Sequence, residues 1–286
     1  MITRPMKACK APAFEDIRFP VLVSGKLDGI RCIHPSKKIG PVSKNFKMLA
    51  NVFITKTLRR IAPVGVDGEI IIPDAKFNDT QSSVLTGDGK PEFEYHIFDY
   101  VDKDLNEPFG GRMRKLLQKN LDPRIVVIEQ VLVNNLKELK KAKDKFYRAG
   151  FEGIIIRDPN GRYKCGTATV NEGTIFKHKR MVKGVGTIVG FHELMHNLNE
   201  PELGNFGNTI RSHHKAGKVG GKMLGSFEVT FMKTTFKLGS GFDMAQRKKY
   251  WRMRKRLKGV KVKYTYQAFG TKDKPRFPIF EELLCT

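Results

Sequence analysis

Lys26-Leu27-Asp28-Gly29-Ile30-Arg31 follows the apolar run Phe19-Pro20-Val21-Leu22-Val23 and leads into Ile30, Cys32 and Ile33. An apolar run, an Asp-Gly pair and a second apolar run predict two strands joined by a tight turn. Such a hairpin would gather a Lys, an Asp and an Arg at one end of a sheet. Asp-Gly turns are common, however, and most lysines beside them are merely solvated. The stretch gains meaning only from partners elsewhere in the chain.

Two later stretches repeat the pattern. Val66-Asp67-Gly68-Glu69-Ile70-Ile71-Ile72 and Phe151-Glu152-Gly153-Ile154-Ile155-Ile156-Arg157 each read as a turn followed by a strand. If the three turn ends converge, one site holds an amine nucleophile, two carboxylates able to carry a divalent ion, and a guanidinium suited to phosphate. A fourth stretch, Phe176-Lys177-His178-Lys179, places two lysines on one face of a strand. Their mutual repulsion makes sense with a phosphate between them; the alternative is a strand edge guarded by lysine.

Between these stretches, Glu94–Tyr100 alternates and is rich in aromatics, which predicts a strand. Leu136 to Gly150 has helical spacing and a glycine where the helix should stop. At Lys183-Gly184-Val185-Gly186 the texture changes, and the glycines read as a flexible hinge. The expected domains are therefore 1–183 and 184–286. The second has strand candidates at Thr187–Phe191, Gly225–Phe231 and Val260–Gln267 and one helix candidate at Met244–Leu257, as in a small oligonucleotide-binding barrel. The expected class is α+β.

A length of 286 residues suits two domains, and 40% hydrophobic residues with 20 Phe is ample for buried cores. No apolar run reaches the ~18 residues of a membrane helix, and the start lacks the apolar core of a signal peptide. Cys9, Cys32, Cys165 and Cys285 have no Cys-x-x-Cys spacing, which points away from a zinc site or disulfide framework and towards a reducing cytoplasm. Lys and Arg number 53 against 29 Asp and Glu, a net charge of +24 that favours polyanions as partners. The surplus is denser in the second domain: 19 against 8 over residues 184–286, compared with 34 against 21 over 1–183.

Lys26-x-Asp28-Gly29-x-Arg31, Asp67-Gly68-Glu69, Phe98-Asp99, Glu152-Gly153-Ile154-Ile155-Ile156-Arg157 and Lys177-x-Lys179 occur in that order. Together they resemble the motifs of the covalent nucleotidyltransferases, the superfamily of DNA ligases, RNA ligases and mRNA capping enzymes. Gly241-Phe242-Asp243…Trp251 and Lys274-Pro275-Arg276-Phe277-Pro278-Ile279-Phe280 resemble the oligonucleotide-binding domain of small bacteriophage ATP-dependent DNA ligases.

The resemblance implies a nucleotidyltransferase domain of antiparallel sheets flanked by helices, followed by that barrel. It also implies a nucleophilic Lys26 that attacks ATP and carries AMP. Arg31 and Glu69 resemble the residues that hold ribose and phosphate, and Phe98 the ring that stacks on adenine. Glu152 resembles the carboxylate of a magnesium site, to which Glu69 could add a second; Lys177 and Lys179 resemble the phosphate-binding pair. Asp28 is expected to give electrostatic support.

The implied activity is sealing of 5′-phosphate/3′-hydroxyl nicks in double-stranded DNA by a cytoplasmic monomer (host cytoplasm if phage-encoded). Alternatives are an RNA ligase, a GTP-using capping enzyme, or an inactive nucleic-acid-binding module. The chemistry is consistent with a covalent role for Lys26. A free lysine, with pKa ~10.4, is almost wholly protonated at pH 7, and cationic neighbours push it towards the neutral amine.

Two departures stand out. Val42-Ser43-Lys44-Asn45 occupies the place where relatives have Ser-Arg-Asn, so Lys44 keeps the charge that meets a nick 5′-phosphate but lacks the planar fork. Arg276 is expected to contact nucleic acid; after Arg276-Phe277-Pro278 the sequence runs on to Glu281-Glu282-Leu283-Leu284-Cys285-Thr286, where relatives have another basic residue.

Three stretches lie outside the motifs. His192-Glu193-Leu194-Met195-His196 matches a zinc-protease pattern, but that pattern needs a helix and its flanks read as strand and turn. The stretch 211–222, with Arg211, Lys215 and Lys218, reads as a basic glycine-rich loop, either solvated or tracking DNA. Gln246–Lys258 reads as a helix with the same two readings: Trp251 and Leu257 facing the core with its charges in water, or a basic face tracking DNA.

Overall fold

In the computed structural model, which describes residues 2–75, 77–203, 209–267 and 274–284, the chain divides into a first unit, Met1–Arg180, and a second, Met181–Thr286. Cys285 lies outside the described residues. One sheet of the first unit runs in the order β1 (Cys9–Lys10), β10 (Ile175–Lys179), β9 (Gly153–Arg157), β2 (Val21–Lys26), β8 (Val131–Val133). The other runs β4 (Val42–Ser43), β3 (Ile30–Ile33), β5 (Val66–Ile71), β6 (Glu94–Tyr100), β7 (Ile125–Val127).

Helices α1 (Val52–Ile61), α2 (Phe77–Leu85), α3 (Phe109–Leu117) and α4 (Leu136–Arg148) complete the unit. The last forms where its spacing predicts. Asn135 caps it by accepting from Glu138 N, while Leu139, Ala142 and Phe146 bury one stripe against the first sheet. Gly150, at φ 87°, ends it.

The hairpin expected around Asp28-Gly29 does not form. β2 and β3 belong to different sheets, and residues 27–29 cross from one to the other. Each strand finds a non-local partner: Lys26 sits opposite Gly153, and Arg31 opposite Glu69. Asp67-Gly68-Glu69 is likewise no turn but the interior of β5, because that strand is paired on both sides, by β3 and β6. Glu152 does directly precede a strand, as expected.

The second unit is a five-stranded sheet in the order β15 (Thr234–Leu238), β14 (Lys218–Phe231), β11 (Met181–Asn197), β16 (Lys261–Gln267), β17 (Arg276–Leu284). Phe280 N donates to Ser240 O at 2.9 Å, tying the end of one edge strand's continuation to the other edge strand, as an oligonucleotide-binding barrel requires. Phe227 lies at the centre, ringed by Phe191, Phe242, Tyr250 and Phe280. Helix α5 (Met244–Arg252), opened by an Asp243/Gln246 capping box, is followed after Met253 by the short α6 (Arg254–Leu257), where one continuous helix was expected.

The glycines at 184 and 186 are not a hinge. Both lie in β11 opposite Tyr264 and Val262, and a Cβ on Gly184 would fall 2.7 Å from the Tyr264 ring. The first unit ends at Arg180, three residues before the boundary read from composition. His192 and His196 also lie in β11, where residues four apart are separated by roughly 13 Å. The 211–222 stretch is mostly ordered structure: Arg211 ends β13 (Thr209–Arg211), which pairs with β12 (Pro201–Leu203), and Lys218 onward extends β14 along β11.

Candidate active site

A cleft of about 710 Å³ in the first unit is lined by Lys26, Arg31, Lys44, Glu69, Phe98, Lys177 and Lys179, among others. Strand register explains the convergence. Across β10, β9 and β2, Lys179, Gly153 and Lys26 form one row. A Cβ at Gly153 would lie 2.3 Å from His178 O, so the row closes only around a glycine.

Glu152, the residue before that glycine, is only 4% exposed and bridges the row. Lys26 Nζ donates to its Oε2 at 2.5 Å, and Lys179 Nζ lies 2.8 Å from its Oε1. Burial raises the Glu152 carboxyl, but Lys26 and the hydrogen bond from Lys179 outweigh it and hold the group below its ordinary value.

The second sheet supplies the opposite side. Gly29 N donates to Glu69 Oε2 at 3.0 Å. Burial raises the Glu69 carboxyl; Lys26 and Arg31 oppose this, while Glu152 adds to it. Asp28 is half-buried in the crossing segment and is not among the side chains that line the cleft.

Arg31 is aimed by groups to which no role was assigned from sequence. Its Nε and Nη2 donate to the two oxygens of buried Asp67, both at 2.6 Å, and Nη2 also donates to Met6 O at 2.9 Å. Tyr163 donates to Asp67 Oδ2 at 2.6 Å and accepts from Met6 N at 3.1 Å, closing the circuit. The guanidinium of Arg31 lies 4.7 Å from the centre of the Phe98 ring.

Behind Phe98, Asp99 is fully buried and receives Arg112 at 2.8 and 3.1 Å and also Arg157. Burial raises its carboxyl, yet Arg157 and Arg112 together keep it below the usual carboxylate range. Asp67, Asp99 and Arg157 stand inside recognisable motifs, so their position was the available signal. Arg112 and Tyr163 carry none, since isolated Arg and Tyr residues in polar surroundings read as surface.

The remaining predicted contacts are dispersed. Lys44 is exposed in the turn after β4 and reaches the cleft rim. Arg211 and Lys215 are exposed, Lys218 is half-buried in β14, and Arg276 opens β17, all in the second unit. Among the described residues no group of three or more His, Cys, Asp or Glu could hold a metal ion.

Two sheets meeting over a lysine–carboxylate cleft, followed by a small barrel, define a nucleotidyltransferase joined to an oligonucleotide-binding fold. Comparison with known proteins narrows the class. Residues 1–179 match the ATP dependent DNA ligase domain, and residues 216–283 the DNA ligase OB-like domain. The Chlorella virus DNA ligase-adenylate structure is 31% identical, covers 100% of this chain and 99% of its own, and superposes with a TM-score of 0.59.

A DNA ligase of Haemophilus influenzae is 22% identical over 264 residues, spanning 91% of this chain and 85% of its own. A Lig E DNA ligase shares the fold at a TM-score of 0.71 and 20% identity, over 99% of this chain and 100% of its own. The chain belongs to the family of ATP-dependent DNA ligases.

Proposed function

We propose that Lys26 is the residue that this DNA ligase adenylates, and that nicked double-stranded DNA is its substrate. Lys26 Nζ, once it has lost a proton to become the neutral amine, attacks the α-phosphorus of ATP; the N–P bond forms as the bond to pyrophosphate breaks, and the nitrogen releases a second proton to solvent. AMP then passes from Lys26 to the 5′-phosphate of the nick, and the 3′-hydroxyl displaces it as the strand is sealed. The single observation that carries this assignment is the Lys26–Gly153–Lys179 row with Glu152 bridging it.

The other side chains receive roles from where they stand. Lys177 and Lys179 face phosphate, offsetting charge on the transferring group and on departing pyrophosphate. Arg31, held by Asp67, meets ribose and phosphate, and Phe98 offers its ring to adenine. Asp28 supplies a negative charge beside the crossing segment.

Glu69, which lines the cleft, and Glu152, buried beside it under Lys26 and Lys179, repel each other, and together they would hold a magnesium ion, which takes one or two carboxylates plus substrate phosphates. When bound, it would neutralise charge on the α-phosphate. The protein would act as a monomer.

The test is incubation with labelled ATP and magnesium. The native chain should become labelled and then seal a nicked duplex, and Lys26→Ala should take up no label. A labelled Lys26→Ala protein overturns the assignment. Parallel arms with GTP and with RNA ends separate a capping enzyme or an RNA ligase from a DNA ligase.

A further inference from the structure

The helical segment of the second unit carries more positive charge than the fold pairs with acid: Arg254 donates to Trp251 O at 2.8 Å and lies 4.7 Å from the centre of the Trp251 ring, but this leaves its charge uncompensated. Eight of the twelve residues 247–258 are Lys or Arg, and none is acidic. Arg247 is structural: it donates to Leu224 O at 2.8 Å, Gly225 O at 2.9 Å and Gly239 O at 2.7 Å, fastening α5 to the barrel. The other seven cations, from Lys248 to Lys258, are all exposed. Packing is served by different residues, since Tyr250, Trp251, Met253 and Leu257 lie against the barrel core.

A basic helix need not be a binding face, and α4 provides the contrast within the same molecule. There Lys140 lies 3.6 Å from Glu15, Lys145 2.5 Å from Glu129, and Lys143 3.3 Å from Asp144. Among the described residues, no ion pair joins any of the seven exposed cations of α5–α6 to a carboxylate. A helix C-terminus is complemented by one or two cations in its last turn, not by seven. Lys248 and Arg252, four apart in α5, repel each other, as do Lys249 and Arg252.

Charge complementarity fixes the chemistry of the partner. Six of the seven lie in two successive short helices and the seventh directly follows the second, so their partner must offer several closely spaced negative charges. Duplex DNA, with one charge per ~1.7 Å of its axis, supplies them. A single phosphate group would leave most of them unmatched.

We propose that the exposed face of α5–α6 is a sequence-independent contact for the phosphate backbone of duplex DNA, distinct from the residues lining the cleft, which lets the protein hold unbroken duplex as well as nicks. It rests on the ligase assignment above, and extends it to a surface that takes no part in the chemistry.

The test compares two full-length variants that lose the same charge. One carries Lys248→Gln, Arg252→Gln, Lys255→Gln and Arg256→Gln; the other carries Lys137→Gln, Lys140→Gln, Lys141→Gln and Lys145→Gln on α4. Fluorescence of Trp251, the sole tryptophan, checks the helix in the first variant. Binding to a labelled, unbroken duplex is followed by anisotropy across a salt series.

The α5–α6 variant should bind about 10- to 100-fold more weakly at low salt, with a slope of log affinity against log salt shallower by about 3. The α4 variant should keep most of the native slope. Equal losses in both overturn the proposal, since net charge alone would then be acting. Loss of binding to polyglutamate with duplex binding intact overturns it too, in favour of an acidic protein partner. Failure of the ligase assignment would look different: the native chain would form no adduct and seal no nick, whatever its salt slope.

Discussion

Lys26 and Lys179 are held by the two oxygens of one side chain, Glu152, at 2.5 and 2.8 Å, across a glycine that leaves the space between them open. One carboxylate therefore sets the position of both amines. The strand pairing that creates the row also fixes how far each lysine reaches.

Replacing Glu152 with Gln should separate positioning from folding. Both lysines are partly solvated, with side chains 20% and 30% exposed, so the fold should survive the change. The rate of Lys26 adenylation should fall by about 10²-fold or more, because the nucleophile loses its orienting partner. Single-turnover labelling with ATP measures this. A rate within a fewfold of native would remove Glu152 from the site.

Arg112→Met should act on stability. It removes one of two guanidinium groups from fully buried Asp99, and breaking such a pair costs about 3–5 kcal/mol. The sign with pH follows from the depressed Asp99 carboxyl. Its stabilising contribution is complete above the unfolded value of ~3.9 and is lost as pH falls through the folded value. The gap between native and variant should be widest near neutrality and narrow in acid, with a constant remainder from the bonds Arg112 makes to Glu107 O and Gly161 O. Denaturant unfolding followed by circular dichroism at several pH values reads it. A gap that ignores pH would assign Arg112 to packing alone.

What could be read beforehand, and what could not, follows from the range of the signals. The helical spacing from Leu136 and the stop at Gly150 are local signals, and α4 forms where they indicate, its Asn135 cap being added by the structure. Glu152 and Lys179 lie in distinctive strings, so they could be singled out one by one. That Lys26 faces Gly153 rather than a neighbour across a hairpin is a matter of pairing over more than a hundred residues, which no local pattern encodes. β11 is visible in sequence only as Thr187–Phe191, since Gly184 and Gly186 before it and His192, Glu193, His196 and Asn197 after it break the apolar alternation on which strand reading depends. Arg112 escaped because an arginine in Phe109-Gly110-Gly111-Arg112-Met113-Arg114-Lys115 looks like surface, although it is 1% exposed.

The basic stretch 211–222 cannot be excised whole. Lys218 and Gly220 pair with Asn197 and Met195, so removing them would damage the barrel strands. Leu198 N donates to Gly217 O at 2.7 Å, which makes a clean splice point. Replacing residues 199–216 by an Asn-Gly turn should lower affinity for nicked duplex and make its salt slope shallower by up to about 2, while ATP labelling of Lys26 stays intact. Equal loss of labelling and binding would mean that the excised hairpin supports the fold.

Lys44 tests the chemistry of the nick directly. It projects from a tight turn in which Phe46 N donates to Ser43 O at 2.9 Å and Ser43 N to Lys47 O at 2.8 Å, so its base is fixed while its amine is free to swing. An ammonium meets a terminal phosphate as a point charge; a guanidinium in the same place could bind it through two parallel hydrogen bonds. Lys44→Ala should therefore slow transfer of AMP to the nick by about 10- to 100-fold with ATP labelling unchanged, and Lys44→Arg should match or exceed the native rate. The decisive comparison is binding to nicks with and without a 5′-phosphate. The preference for phosphate should collapse in Lys44→Ala and grow in Lys44→Arg. If both variants instead alter ATP labelling in step with sealing, Lys44 serves the nucleotide and not the DNA end.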